Sequence, residues 1–431
     1  MWSKELNRRI RWVLTLIFLL NIKVSAAVPW EDGRSRGADL EIMLVTFGPG
    51  DEVNNWWGHT TIVVTDSVLK VSKIYNFGLF SFDDDMLAKF ATGRLVFWAG
   101  DAGVGQTLLR YRNENREIRI QVLDLTPAKK LEMARTLAWN VRPENREYLY
   151  DHYYDNCSTR LRDIIDKAVD GQFATATKSP SDMTLRDHTR RYSSHVPPME
   201  ILLMYLMNNS IDQPIEKWDD MFLPDKLEQY VGELEYNDES GHKRKLVSNQ
   251  FVYFKADRQG VPEKVPVHWP GALLTGIILA VIALLHTKPL AAGGKGARIS
   301  FGIYNSLIGL IIGLPGLALF LMSFFTDHVV THNNENLLIS NPLTFALFIL
   351  GILLAAGKEN MIKWITVIWY ILAAGSMAAV LIKIFPLFDQ NNWLEMALIL
   401  PVNFGFALTM MLSAKITGKK MSNLEIRPVK S

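Results

Sequence analysis

Tyr148-Leu149-Tyr150-Asp151-His152-Tyr153-Tyr154-Asp155-Asn156-Cys157-Ser158-Thr159-Arg160-Leu161-Arg162-Asp163 is the stretch whose reading decides the fold of this chain. Beyond it, Leu161, Ile164, Ile165 and Ala168 recur at helical spacing, so a helix with one apolar face is predicted from Asn156 to about Val169. Asp155 and Asn156 are both of the type that caps a helix. Cys157 then falls in the first turn, where unbonded N–H groups and the helix dipole favour an anionic sulfur and should lower its pKa. It is the single cysteine of 431 residues, and its place four residues before Leu161 puts it on the core-facing stripe. A lone cysteine is commonly just a small buried apolar residue. A thiol at the head of a buried helix that faces a sheet is instead placed as a nucleophile.

A nucleophilic thiol needs a base, and nine histidines compete for the role. His59, in Trp56-Trp57-Gly58-His59-Thr60, opens an apolar, β-branched run directly after a glycine and two aromatic residues. That places an imidazole at a strand end among rings able to exclude water. A core histidine tied to a backbone carbonyl is the blander alternative. His152 sits in an aromatic string that suits packing. His188, His195 and His242 lie in polar, loop-like sequence, and His268 and His286 flank an apolar segment.

The strand pattern around His59 gives the fold class. Leu40–Phe47, closed by Gly48-Pro49-Gly50, reads as one strand, His59–Thr65 as a second and Val71–Phe77 as a third. Thr126-Pro127 opens an amphipathic helix with Leu131, Ala134, Leu137, Ala138 and Val141 on one face. Pro180–Pro198 reads as a long loop, and Glu200–Met207 as a further helix. Strands and helices are mixed, so residues 28–268 are expected to form an α+β domain.

From Trp269 onward the composition changes. Five apolar segments follow, at Trp269–Leu285, Ile303–Phe325, Leu343–Ala356, Ile362–Ile382 and Leu394–Ser413, each near the length a bilayer requires. An all-α membrane domain over residues 269–414 is the expectation, with 415–431 as a cytoplasmic tail. Lysine and arginine alternate between the gaps as five spans starting outside and finishing inside would require. Lys4, Arg8, Arg9 and Arg11, the run Trp12–Leu20 and Ser25-Ala26-Ala27 make residues 1–27 a secretory signal peptide. Both signs place the α+β domain outside the cytoplasm. Net charge is +2, without a basic face, which argues against nucleic acid as a partner.

Gly58-His59-Thr60, Tyr75-Asn76-Phe77-Gly78 and Tyr154-Asp155-Asn156-Cys157-Ser158-Thr159-Arg160 resemble the extracytoplasmic domain of the Lnb-type lipoprotein intramolecular transacylases. Thr326-Asp327-His328, Thr331, Asn336-Leu337-Leu338 and Asn341-Pro342-Leu343 resemble that family's membrane half. The order histidine then cysteine is also similar to circularly permuted papain-like acyltransferases. The resemblance implies a permuted papain-like domain on about five transmembrane helices in a bacterial cytoplasmic membrane, its catalytic face on the periplasmic or outer side. It implies diacylated lipoproteins and membrane lipid as partners; no cofactor or metal is expected. An acyl chain would pass from the sn-2 ester of the diacylglyceryl group to the α-amine of the lipoprotein's N-terminal cysteine, through a thioester on Cys157, leaving a lyso-form. Tyr75 and Asn76 are candidates to orient His59, and Asn156, Asp155 or a backbone N–H could support the site. Trp57, Arg160, His328 and His332 are candidates for substrate contact.

Two rivals stand beside this reading. A cysteine peptidase or lipase would use the same pair with water as acceptor. A ligand-binding receptor or transporter would be expected to carry charges inside its spans, and the first two have none. Asp83-Asp84-Asp85 reads as a solvated face. His328 and His332 have zinc-like spacing without a matching third ligand.

Overall fold

A computed structural model of the chain describes residues 27–80, 89 and 91–425, with side chains through residue 418. All of the expected signal peptide but Ala27, the acidic run at 83–85 and the chain beyond 425 lie outside the described residues.

The first three strands form an antiparallel meander: β1 (Leu40–Phe47), β2 (His59–Asp66) and β3 (Val71–Leu79), with Phe47 opposite His59 and Thr61 opposite Asn76. They are joined by β4 (Val96–Ala102), β5 (Ile118–Leu123), β6 (Glu147–Leu149) and, beyond a short ribbon of β7 (Glu235–Asn237) and β8 (Lys243–Lys245), by β9 (Val247–Phe254). The seven-stranded sheet runs β6-β4-β3-β2-β1-β5-β9, with every neighbouring pair antiparallel. Because side chains alternate across a strand, neighbouring residues supply two separate cores. Ile62, Val64, Tyr75 and Phe77 face α2 (Pro127–Asn140) and α3 (Cys157–Ala168). Val63 and Ile74 face α1 (Val104–Asn113) on the other side, with Phe47, Leu108 and Ile118. Each fully buried aliphatic side chain contributes about 1.5–3 kcal/mol of transfer free energy.

α4 (Gln172–Ala176) follows, and then a correction to the sequence reading. The expected loop Pro180–Pro198 contains α5 (Leu185–Ser193) and the first residues of α6 (Pro197–Leu206). α5 has no apolar stripe to announce it. Its buried face carries Arg186 and His188, which are satisfied by Asp212 (2.5 Å) and Asp220 (2.8 Å). Its one local signal is the capping box, in which Thr184 and Asp187 bond each other's backbone N–H. α7 (Lys217–Asp220) and α8 (Pro224–Glu233) complete the domain.

Five helices long and apolar enough to cross a membrane follow: α9 (Trp269–Leu285) with its short continuation α10 (Thr287–Ala291), α11 (Lys295–Phe325), α12 (Pro342–Ala355), α13 (Met361–Leu381) and α14 (Trp393–Glu425). α12 is the shortest, and the 3-10 turn Glu335–Leu338 before it lengthens the span to 21 residues. Where lipid removes the hydrophobic drive, close backbone packing and interhelical hydrogen bonds hold such helices together. A Cβ at Gly302, Gly309, Gly313 or Gly316 of α11 would run into α12 or the turn leading to it. Beside them Asn305 and Ser306 donate to the carbonyls of Leu347 (2.7 Å) and Phe348 (2.9 Å).

The two halves are bolted together at the end of α6. Tyr205 donates to the Ser340 carbonyl (2.8 Å), and its own carbonyl accepts from Asn334 and Asn336. Asn208 donates from Nδ2 to the carbonyls of Val329 and His332. Arg94 pairs with Asp327 (2.6 Å) at a second contact point.

Candidate active site

Asp151 starts the turn that delivers the cysteine. Its carboxylate accepts from the N–H groups of Tyr153 and Tyr154, and its backbone bridges to Asp155. Asn156 is the N-cap of α3, extended at φ −130°, so Cys157 is the first helical residue. Asn156 Oδ1 accepts from Ser158 N (2.8 Å) and Thr159 N (3.0 Å), and Thr159 Oγ1 accepts from Asn156 N (2.8 Å). A cap of this kind contributes about 1 kcal/mol. Its Nδ2 donates to the carbonyls of His152 (2.7 Å) and Phe222 (3.0 Å). Both amide hydrogens are therefore spent, and Asn156 holds the helix head in place instead of offering a donor to a reacting oxygen.

His59 enters from the other face of the sheet. Its ring stacks with Phe47 (centroids 6.3 Å) and Tyr111 (6.1 Å), both on the α1 side, whereas Cys157 packs on the α3 side. The two meet at Gly78. There β3 bulges between Asn76 and Leu79, and the glycine has φ +96°, a conformation natural to glycine. A methyl group at this position would lie 3.7 Å from Cys157 Cβ and 3.9 Å from His59 Cε1. With no side chain on Gly78, Cys157 and His59 both lie against the same open spot on the sheet.

Of the two residues considered as orienters, only Asn76 reaches the imidazole: its Oδ1 lies 2.7 Å from His59 Nε2. An acceptor there puts the ring proton on Nε2 and leaves the Nδ1 lone pair as the base. Tyr75, one residue away, points into the opposite core, where its hydroxyl accepts from Trp30 Nε1 (3.0 Å). Asp155 and Arg160 are spent on each other in a two-pronged ion pair at 2.6 and 2.8 Å, with Arg160 laid over the Tyr148 ring. Trp57 stands beside the site, its ring edge-on to His152 at 4.7 Å. His332 Nε2 lies 3.1 Å from the Thr326 carbonyl, and the backbone at His328 packs against Gly93.

The electrostatics correct another expectation. Burial pushes the Cys157 thiol up instead of down. The N–H of Thr60, the hydroxyl and N–H of Ser158 and the cysteine's own N–H oppose that effect without overcoming it. Burial, helped by the charge of Arg116, lowers His59 to about 4, against the Asn76 hydrogen bond. Burial thus disfavours both the thiolate of Cys157 and the imidazolium of His59, so each group rests neutral near pH 7.

Several neighbours were not singled out from the sequence. The Tyr111 ring lies 3.6 Å from that of Phe47 and carries the Arg116 guanidinium at 4.6 Å. The Tyr148 hydroxyl and His152 Nε2 are buried with no hydrogen-bond partner among the described residues, as is Nε1 of Trp57, which the sequence did single out. Buried polar atoms left open in this way are uncommon and suit contact with a ligand. Gly78 did carry a signal, since a glycine inside a strand marks a bulge or a close approach.

An α+β domain with a cysteine–histidine pair at a helix head, joined to five bilayer-length helices, defines a membrane protein with a thiol site in its extramembrane half. Residues 26–191 match the family model described as the Lnb N-terminal periplasmic domain, and residues 271–415 match that of the Lnb transmembrane domain. The chain belongs to the Lnb family: a membrane protein with a periplasmic N-terminal domain and five transmembrane helices. Neither the curated proteins nor the solved structures gave a match.

Proposed function

We propose that the protein is a cysteine acyltransferase that moves an acyl chain from the sn-2 ester of a lipoprotein's diacylglyceryl-cysteine to the α-amine of that same residue. The observation that carries this reading is the meeting of Cys157 and His59 across Gly78, with Asn76 holding the imidazole. The substrate class is taken from the likeness of the sequence motifs to lipoprotein transacylases, and membership of the Lnb family supports that reading.

On this reading His59 Nδ1 takes the Cys157 proton as the sulfur attacks the ester carbonyl. The carbon–oxygen bond to the glycerol breaks, and the departing sn-2 oxygen receives that proton from the imidazolium. The product is a thioester on Cys157 and a lyso-glyceryl group. The α-amine then attacks the thioester carbonyl and gives its proton to His59. The carbon–sulfur bond breaks and the proton returns to sulfur, leaving an amide and the free enzyme. A neutral resting pair suits this sequence, since the thiol keeps its proton until an ester is bound. The N–H groups of Thr60 and of Cys157 itself are the donors available to the tetrahedral oxygen, since those of Ser158 and Thr159 are taken by the Asn156 cap. The aromatic enclosure keeps water from the thioester. Docking of the domain onto the span ends keeps the site at the lipid surface of a bacterial cytoplasmic membrane, where diacylated lipoproteins lie.

The test is mass spectrometry of lipoprotein N-terminal peptides from cells expressing the intact protein or Cys157→Ala. Transfer predicts one acyl chain moved onto the amine by the intact protein alone. Loss of a chain without its appearance on the amine would make the protein a lipase.

A further inference from the structure

On the flank of the membrane domain, away from the elements that carry Cys157, a groove of about 670 Å³ runs between α9 and α14. The two helices touch backbone to backbone beside it: a Cβ at Gly405 would meet Ala280 Cα at 2.7 Å, and Gly276 sits against the Ala397 and Leu398 carbonyls. Alongside these contacts the groove is lined by Leu273 on one side and Ala397 and Leu400 on the other, with Phe404 at the deep end and Val380 of α13 beside it. Because the N-terminal domain is periplasmic and five spans follow it, the first, third and fifth spans begin on the periplasmic side. Trp269 and Trp393, half-exposed at the starts of the first and fifth, therefore mark the outer lipid–water boundary. From Trp393 to Phe404 the helix descends about 16 Å at 1.5 Å per residue, close to half of a ~30 Å hydrocarbon core.

The mouth of the groove is polar and comes from both halves of the protein: Arg190 at the end of α5 and the exposed Asn391 before α14. Arg190 is held in place by two of its nitrogens. Nε donates to Glu200 (2.9 Å) and Nη2 to the Pro266 carbonyl (3.2 Å), which leaves Nη1 for a third partner. Of the acidic groups nearby, Glu395 of α14 is buried with both carboxylate oxygens unpartnered among the described residues, and the other two are matched. Glu200 is fully buried between Arg190 and His268, and Asp212 pairs with Arg186. An oriented guanidinium at headgroup depth over an apolar slot one leaflet deep fits a phosphate carried on an acyl chain.

We propose that this groove binds one glycerophospholipid of the outer leaflet, its phosphate on Arg190 and Asn391 and one acyl chain along Leu273, Ala397, Leu400 and Phe404. The site is separate from the acyl-transfer reaction, because the diacylglyceryl group of a lipoprotein has no phosphate for Arg190 to hold. Its bound lipid seats the α5–α6 segment, and with it the docked domain, against the membrane surface.

Native mass spectrometry of the full-length protein in mild detergent with added dioleoylphosphatidylglycerol tests the proposal. One phosphatidylglycerol should stay bound to the intact protein, and excess dioleoylglycerol, with the same chains and no phosphate, should leave it in place. Ala397→Trp fills the slot and should cut retention about tenfold or more, a difference of about 1.4 kcal/mol, while Cys157 still reacts with iodoacetamide at the unaltered rate. The proposal is overturned if dioleoylglycerol or a synthetic diacylated lipopeptide displaces the phospholipid. An unselective ladder of lipids on the intact protein, or full retention in a folded Ala397→Trp variant, would overturn it too. The competition on the intact protein decides the matter even where the variant does not fold.

Discussion

Replacing Gly78 with alanine separates the backbone's demand at this position from the site's. The new methyl would meet Cys157 Cβ at 3.7 Å, His59 Cε1 at 3.9 Å and Phe97 Cδ2 at 4.0 Å, all ordinary contacts, so overlap costs little. The backbone costs more: φ is +96°, and holding a side-chain-bearing residue in so sparse a region costs about 1–3 kcal/mol. In a domain of this size each kcal/mol lowers Tm by about 2–4 °C. The chemical effect should exceed the thermal one, because the methyl fills the space through which sulfur and imidazole must approach. A misplacement of about 1 Å at reacting atoms costs about 10²-fold in rate. Two readings on the same preparation suffice: thermal melting, and the rate of acyl transfer at 25 °C, well below the melt. The expected outcome is a fall in Tm of several degrees with transfer down about a hundredfold. A variant that melts early yet transfers at the full rate would refute the idea that Cys157 and His59 work across this glycine.

Asn76→Ala should leave the fold intact and slow transfer about 10²-fold by freeing the imidazole; an unchanged kcat would remove Asn76 from the machinery. The pH profiles follow from the two shifts. His59, lowered to about 4, stays neutral and able to accept a proton down to about pH 5, so the initial transfer rate should fall only below that and show no limb near 6.5. Cys157, raised by burial, is almost wholly protonated at pH 7, so alkylation by iodoacetamide should climb about tenfold per pH unit through pH 9, where a plateau between pH 5 and 7 would signal a preformed thiolate. Asn156→Ala removes the cap and leaves the His152 and Phe222 carbonyls without their donor. A loss of about 2–4 kcal/mol in chemical unfolding is expected, and a change under 1 kcal/mol would contradict the structural role given to it.

The sequence was most legible where periodicity and local chemistry agree. The apolar stripe of α3 and the capping residues before it located the helix head with only the choice between Asp155 and Asn156 left open, and the alternation of β1 to β3 located the sheet. The spans were readable because twenty apolar residues have few other uses. α5 was hidden because its buried face is made of Arg186 and His188, whose partners Asp212 and Asp220 lie 26 and 32 residues further along the chain. The choice of Asn76 over Tyr75 depended on which face of β3 turns toward His59, a question of register. The direction of the Cys157 shift was misjudged because helix-head donors can be read locally, whereas the enclosure that outweighs them comes from β2 and the 148–153 segment folding over the sulfur. The role of Arg160 turned on Asp155, five residues back and within reach only once the turn at Asp151 closes.

The central claim is that Cys157 carries an acyl group on its way from ester to amine, and trapping that intermediate tests it most directly. Full-length protein would be mixed with a diacylated lipopeptide whose α-amine is acetylated, quenched in acid and read as intact mass. The account predicts one acyl chain added to the protein, located on Cys157, released by hydroxylamine and absent from Cys157→Ala. Lyso-lipopeptide formation with no acyl adduct at any time, or an adduct that persists in Cys157→Ala, would contradict it.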